Sequence, residues 1–212
     1  SCGVTVTAGD SRVLPLTDTL PSAIQRSASR LEHSPARANL LAILSGLCLS
    51  SLMKKPLLTE QDLTPMLEAL EEAKTAGTKE EVPIGAVLVN PDSGEIVARA
   101  GNYTIKNSDP TAHAEILVIR EACRKAGTQR IPELDMYVTL EPCPMCAAAI
   151  SFARINKLFF GAYDPKGGGV AHGPKIFEQP TCHHRPDVFG GIEEEKCGQI
   201  LRDFFKARRG KG

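Results

Sequence analysis

Two short motifs with metal-binding side chains constrain the fold of this chain, because each stands where a loop or strand passes into a helix. The first is a His-x-Glu motif at residues 113–115, and the second is a Pro-Cys-x-x-Cys motif at residues 142–146. The i, i+3 spacing in a first helical turn places Cys143 and Cys146 on the same side of their helix. If His113 and the two cysteines hold one ion, the starts of the two helices must lie close together.

The residue types in these motifs suit a catalytic zinc site. Free N–H groups at a helix start stabilise thiolates, and two thiolates with one imidazole are good zinc ligands. Structural zinc usually has four protein ligands, whereas His113, Cys143 and Cys146 leave one position for water. Zinc lowers the pKa of such water toward about 7. Glu115 is better placed to take a proton from that water, and to pass protons to a substrate, than to bind the metal.

Neither motif is specific by itself. An isolated Cys-x-x-Cys pair more often belongs to a redox or structural zinc site. A lone histidine beside an apolar helix face is more often a core residue than a ligand. A His-x-Glu motif that opens one helix, followed by Pro-Cys-x-x-Cys opening the next, is typical of zinc-dependent nucleobase deaminases. The combination therefore indicates an enzyme that hydrolyses an amino group off a nucleobase.

The surrounding sequence predicts an α/β fold. Thr64 is a candidate N-cap with Pro65 as the first helical residue, and Gly77 closes that helix. Strand, helix and strand follow one another over residues 136–161, which predicts a right-handed parallel crossover. We expect a three-layer α/β/α sandwich with a mixed, about five-stranded sheet. Helices are predicted at residues 64–77, 112–126, 144–153 and 192–209, and strands at residues 84–89, 95–100, 136–140 and 157–161.

Charge and cysteine content say little about partners. Basic and acidic residues both number 25, but from residue 196 onward six cations accompany a single acid, Asp203. This bias is a weak indication of phosphate binding, since basic tails are often only solvated. The seven cysteines have no regular framework and favour a reducing compartment. The longest uncharged run, residues 38–53, is shorter than the ~20 residues that span a bilayer, so no membrane segment is predicted.

The first 55 residues differ from the rest. Residues 1–37 are rich in Ser and Thr and lack a sustained helical or strand period, and residues 38–52 are apolar. We expect residues 1–55 to be an N-terminal extension with little order. The remaining residues, 56–212, form the predicted domain. One hypothesis is that Met53 is the functional initiator and that the preceding stretch is not native. The alternative is a targeting presequence, because arginines outnumber acids in this stretch.

Segments beyond the two motifs resemble the bacterial tRNA-specific adenosine deaminases of the cytidine deaminase superfamily, which make inosine at the wobble position (34) of tRNA. The resemblance covers residues 57–209. It implies a cytidine deaminase-like fold, one Zn²⁺ per subunit held by His113, Cys143 and Cys146, and Glu115 as proton donor. The segments that carry it are 81–89 (EVPIGAVLV), 109–115 (DPTAHAE), 137–143 (YVTLEPC), 151–155 (SFARI), 160–166 (FGAYDPK) and 203–209 (DFFKARR).

The resemblance also implies contacts to RNA and a partner. Asn102 would hydrogen-bond the flipped nucleotide, Ile84 would pack against the base, and Asp164 would touch the sugar-phosphate. Each has a simpler interpretation as a turn or core residue. Arg208 and Arg209 are the best RNA candidates in the tail. The family implies a cytoplasmic homodimer that binds the anticodon stem-loop of tRNA across both subunits.

Two other functions remain open at this point. One is deamination of a free base or nucleoside such as guanine, cytosine or cytidine, because those enzymes share the zinc chemistry. The other is a non-catalytic zinc module, which has no use for a carboxylate at Glu115. We interpret Cys182-His183-His184 as loop structure or an edge of the RNA surface, and the Phe204-Phe205 pair as core.

Overall fold

The computed structural model of the protein describes residues 60–209. The predictions for residues 1–55, including the role of Met53, lie outside the described residues. Within this range the chain forms four α-helices, five strands and one short 3₁₀ helix at Ile176–Glu178. The elements follow in the order α1 (Glu60–Thr78), β1 (Gly85–Val89), β2 (Ile96–Gly101), α2 (Ala114–Ala126), β3 (Asp135–Leu140), α3 (Pro144–Ala153), β4 (Lys157–Ala162), β5 (Asp187–Gly190) and α4 (Glu194–Arg209).

The five strands form one mixed sheet in the order β2-β1-β3-β4-β5. β1 pairs antiparallel with both β2 and β3, whereas β3, β4 and β5 run parallel to one another. The parallel strands β3 and β4 are joined through α3, as a crossover connection requires. The mixed five-stranded sheet is therefore confirmed.

Alternate side chains of the central strands enter two separate cores. Leu88, Met136 and Phe160 pack with α2 and α3 on one face of the sheet. Their neighbours in sequence point the other way, and Val87 and Tyr137 pack with α1 and α4. Successive residues of a strand point to opposite faces, so strands that are apolar throughout need helices on both sides. This arrangement confirms the three-layer α/β/α sandwich.

Two elements differ from the predictions. α1 begins at Glu60, so Thr64-Pro65 does not mark its start and Pro65 lies inside the helix. A proline near a helix N-terminus removes only one helical hydrogen bond, and the chain can continue the helix on either side of it. Strand β5 was not predicted, because four partly exposed residues at a sheet edge carry no detectable period. None of the described helices is long and apolar enough to cross a bilayer.

Candidate active site

The starts of α2 and α3 meet at one point on the same face of the sheet. His113 is the N-cap of α2, and Cys143 is the N-cap of α3. Their carbonyl oxygens accept the first helical hydrogen bonds, from Leu117 and Ala147 at 3.0 and 2.9 Å. The sequence therefore places an imidazole and a thiol at two adjacent helix starts, where unpaired N–H groups favour negative charge.

The three predicted ligands come together with a spacing that fits zinc. The Nδ1 atom of His113 lies 3.7 Å from Sγ of Cys143 and 3.5 Å from Sγ of Cys146. All three donor atoms lie within 4.8 Å of one another. In a tetrahedral site with Zn–N near 2.0 Å and Zn–S near 2.3 Å, nitrogen and sulfur stand about 3.5 Å apart. The donor set and its distances therefore suit one Zn²⁺ bound by His113, Cys143 and Cys146.

The two thiols and the imidazole share protons when no metal is present. The Cys146 thiol lowers the pKa of Cys143 from 9.0 to about 4; burial opposes the shift and His113 assists it. The pKa of Cys146 is raised, first by Cys143 and then by burial. A hydrogen bond with Cys143 raises the pKa of His113 despite burial. A cation at this point would replace the shared proton, because thiolates and a neutral imidazole are the metal-binding forms.

Glu115 lies in the first turn of α2 with only 4% of its surface exposed. Burial raises the pKa of its carboxyl group, because the charged form loses its hydration. It does not belong to the group of candidate ligands, although it lies two residues after His113. A buried carboxyl group beside the metal-binding atoms holds a proton more readily than an exposed one, which suits a general acid and base.

Asn102 is buried between the end of β2 and the start of α2. Its Oδ1 atom accepts a hydrogen bond from the backbone N–H of Ala114 at 2.9 Å. The backbone N–H of Asn102 donates a hydrogen bond to the backbone carbonyl of Ile84 at 3.0 Å. Asn102 therefore connects the chain beside β1 to the helix start that carries His113 and Glu115. These bonds join distant segments and do not form a local turn at Asn102, and a contact of this residue to a nucleotide remains a prediction.

Ile84 and Asp164 line one surface cleft, whose lining does not include the metal-binding residues or Glu115, so their contacts to a nucleotide stay predictions. Ile84 is half-buried and also packs against the core. Oδ1 of Asp164 accepts the backbone N–H groups of Lys166 and Gly167, both at 3.0 Å, so Asp164 also shapes a turn. Phe205 lines the same cleft and is 45% exposed. The prediction that Phe205 is a core residue was wrong, because its ring borders this cleft instead of lying beneath α4.

The two C-terminal arginines differ in their surroundings. The guanidinium of Arg208 donates to the backbone carbonyl of Glu80 and lies 4.5 Å from the ring centroid of Phe204. Arg208 therefore ties the end of α4 to the segment after α1. Arg209 is exposed. Contacts of either residue to RNA stay predictions.

The segment at residues 182–184 forms loop structure. The thiol of Cys182 donates to the carbonyl of His184 at 3.1 Å, and Nε2 of His184 donates to the carbonyl of Ile155 at 2.6 Å. Over residues 60–209 the structure contains one cluster that could hold a metal, and it does not include these residues. This outcome agrees with the interpretation of the segment as part of a loop.

Two buried acids were not identified from the sequence as site residues. Glu81 is fully buried and accepts hydrogen bonds from Thr104, Ile105 and Lys106 in the loop that follows Asn102. Glu141 is 2% exposed and stands directly before the Pro-Cys motif. The sequence signal for both residues is an acid that interrupts a largely apolar segment. If such an acid is buried, its carboxylate needs hydrogen-bond donors. The donors themselves come from distant parts of the chain.

Comparison with known proteins agrees with this geometry. Residues 59–162 match the model of the cytidine and deoxycytidylate deaminase zinc-binding region. The chain is 59% identical to a tRNA-specific adenosine deaminase of Agrobacterium fabrum, over 66% of this chain and 91% of that protein. A tRNA-specific adenosine deaminase of Bacillus subtilis is 48% identical over 71% of this chain and 92% of its own.

A solved structure is also similar in sequence and in fold. It comes from a study of A-to-I editing by tRNA:A34 deaminases at the wobble position of transfer RNA. It is 58% identical, has a TM-score of 0.63, and covers 65% of this chain and 99% of its own. The similarity therefore extends over nearly the whole of each of these relatives.

Proposed function

Because this chain belongs to the tRNA-specific adenosine deaminases of the zinc-binding cytidine and deoxycytidylate deaminase family, we propose that it converts adenosine to inosine at the wobble position (34) of tRNA anticodons. The reaction is hydrolytic and depends on zinc. The observation that carries the proposal is the His113, Cys143 and Cys146 cluster with a buried Glu115 beside it. A cluster of three ligands leaves room for catalysis, which a closed structural site does not.

The proposed chemistry moves protons through Glu115. Zinc, when bound, supplies the Lewis acidity that makes water nucleophilic near neutral pH. Glu115 accepts a proton from the attacking water and delivers protons to the adenine ring and to the departing amine. One C–O bond forms at C6, one C–N bond breaks, and ammonia leaves. The raised pKa of Glu115 suits a group that must both take up and release a proton.

A base in the anticodon loop is a favourable substrate for such a site. It is already unpaired, so extruding it costs less than opening a duplex. The cleft lined by Ile84 and Asp164, together with Asn102 and the exposed Arg209, supports contacts to the flipped nucleotide and its neighbours. The affinity of alanine variants at these positions for the stem-loop would test the contacts.

We expect the zinc-loaded protein to produce inosine in an RNA stem-loop that carries adenosine at the first anticodon position. Contacts away from the reacting base contribute to the transition state, so kcat/KM should exceed that for free adenosine by about 10³-fold or more. Base composition after nuclease digestion measures the inosine. The matched control is the same stem-loop with the adenosine moved one position along the loop. Turnover of free guanine or cytidine without inosine in the RNA would contradict the proposal.

We also propose a homodimer located in the cytoplasm. Phe152 is 75% exposed at the end of α3, the helix that carries Cys143 and Cys146, and it borders an apolar depression with Ile176. A large exposed aromatic side chain next to an apolar depression is typical of a protein interface. The five cysteines in the described part of the chain are free thiols, which suits a reducing compartment. Cell fractionation would test the location.

Phe152→Asp should convert the proposed dimer into a monomer. A charge buried at an apolar interface weakens association by about 2 kcal/mol or more. Light scattering coupled to size exclusion would show the mass fall from twice 22.8 kDa toward 22.8 kDa. Leu67→Asp is the control, because Leu67 is 44% exposed on α1 and lies apart from α3. A dimer that persists in the Phe152 variant would rule out this face as the interface.

A further inference from the structure

The carboxylate of Glu141 receives hydrogen bonds from five N–H groups of one segment. Its Oε1 atom accepts the backbone N–H groups of Val170, Ala171 and His172 at 3.2, 2.9 and 2.9 Å. Its Oε2 atom accepts a hydrogen bond from the backbone N–H of Asp164 at 3.1 Å and another from Nδ1–H of the His172 ring at 2.7 Å. We call residues 164–172 the cleft loop, because Asp164 lines the surface cleft that Ile84 and Phe205 also line, and the proposed function assigns this cleft to the substrate.

The cleft loop also lies directly against the turn that presents Cys143. The backbone N–H of Gly169 donates to the carbonyl of Pro142 at 2.8 Å. A Cβ atom at Gly168 would lie 2.4 Å from Oε1 of Glu141, and one at Gly169 would lie 2.6 Å from the backbone nitrogen of Pro144. No side chain fits at these two contacts, so the main chain of the loop packs onto the turn. The cleft wall and the ligand turn therefore meet at Glu141.

We propose that Glu141 is a positioning residue, which fixes the cleft loop against the Pro142–Cys143 turn and so sets the cleft wall relative to the metal ligands. Glu141 is not among the candidate metal ligands and does not line the cleft, so it would act through the loop. The prediction that Glu141 affects RNA binding rests on the proposed function. The prediction that Glu141 holds the cleft loop does not depend on that function. The carboxylate holds both ends of the loop, since Oε2 binds its first residue and Oε1 binds its last three.

Glu141→Gln tests this role with almost no change of shape. The amide oxygen can still accept the N–H groups of residues 170–172, but the amide nitrogen would face the N–H of Asp164, and two donors cannot pair. We expect hydrogen exchange over residues 164–172 to accelerate by about tenfold, as loss of a buried charge-assisted bond implies. We expect one zinc per chain to remain. KM for the stem-loop should rise about tenfold with kcat changed less than about threefold, because the ligands stay in place.

Glu81→Gln is the matched control. Glu81 is equally buried and also accepts bonds from a loop, at residues 104–106, but does not contact the cleft loop. Its substitution should leave hydrogen exchange at residues 164–172 unchanged. His172→Ala is a milder second variant, because it removes only the ring contact and keeps all four backbone bonds. It should accelerate exchange of the same segment by about threefold, which remains measurable if Glu141→Gln does not fold.

Two outcomes would overturn the proposal. Unchanged exchange at residues 164–172 in the variants of Glu141 and His172 would show that the carboxylate does not hold the loop. Loss of zinc together with a fall in kcat, at unchanged KM, would show that Glu141 merely supports the ligand turn. If the wild-type protein makes no inosine in the stem-loop, the proposed function fails, and the exchange comparison still decides the role of Glu141.

Discussion

Glu115→Gln is expected to retain one zinc per chain and to lose about 10³-fold or more in kcat for the stem-loop, since general acid and base catalysis contributes effects of this size. Glutamine has nearly the shape of glutamate, so α2 and the position of His113 should not change. The glutamine side chain cannot take a proton from water or deliver a proton to the adenine ring. Zinc content by atomic absorption and inosine formation by nuclease digestion, measured on the same sample, test both parts.

Glu121→Gln is the control for this variant. Glu121 lies on the same helix, but it is partly exposed and paired with Arg124 at 2.8 Å, away from the metal-binding atoms. Its substitution should leave turnover within about twofold of the wild type, as surface changes of this kind usually do. Near-normal activity in Glu115→Gln would remove Glu115 from the mechanism. Loss of zinc from that variant would show that Glu115 supports the metal instead.

Cys146→Ser is expected to weaken zinc binding by about 10³-fold or more and to abolish activity with it. Cys146 is completely buried, and its sulfur stands 3.5 Å from Nδ1 of His113. A serine hydroxyl stays protonated at neutral pH and is a much poorer zinc ligand than a thiolate. Competition with a chromophoric chelator measures the affinity, and activity is followed as zinc is titrated back.

Cys182→Ser separates the metal effect from the general loss of a thiol. Cys182 is half-buried in the loop at residues 182–184, and its thiol donates to the carbonyl of His184. A serine hydroxyl can make the same bond, so zinc affinity should not change. Tight stoichiometric zinc in Cys146→Ser would contradict the ligand assignment. Together the Glu115 and Cys146 variants distinguish the group that moves protons from the groups that hold the metal.

The metal ligands could be predicted because their arrangement is local to two helix starts. Cys143 and Cys146 stand one helical turn apart, and His113 caps the helix that carries Glu115. Such short-range geometry follows from residue spacing. The central strands could be predicted for a similar reason. The segment from Gly85 to Val89 is apolar on both faces, as a strand between two helical layers must be.

Other features depend on contacts between distant residues. The edge strand β5 is held by its pairing with β4, and its four residues have no distinctive pattern. Phe205 lines the same surface cleft as Ile84 and Asp164, which are far from it in the sequence, and this position leaves Phe205 exposed. Propensity and periodicity describe neighbours in the chain, so they cannot report such contacts.

Residue spacing was sufficient to identify the zinc chemistry, because the ligands and the proton donor are arranged by the first turns of two helices. Only the folded chain reveals that Glu141 binds the loop at residues 164–172, which packs against the turn before α3. The donors that bind its carboxylate lie 23 to 31 positions later in the sequence. Hydrogen bonds over that separation arise from the parallel packing of β3 and β4, which brings the segments after the two strands to the same edge of the sheet.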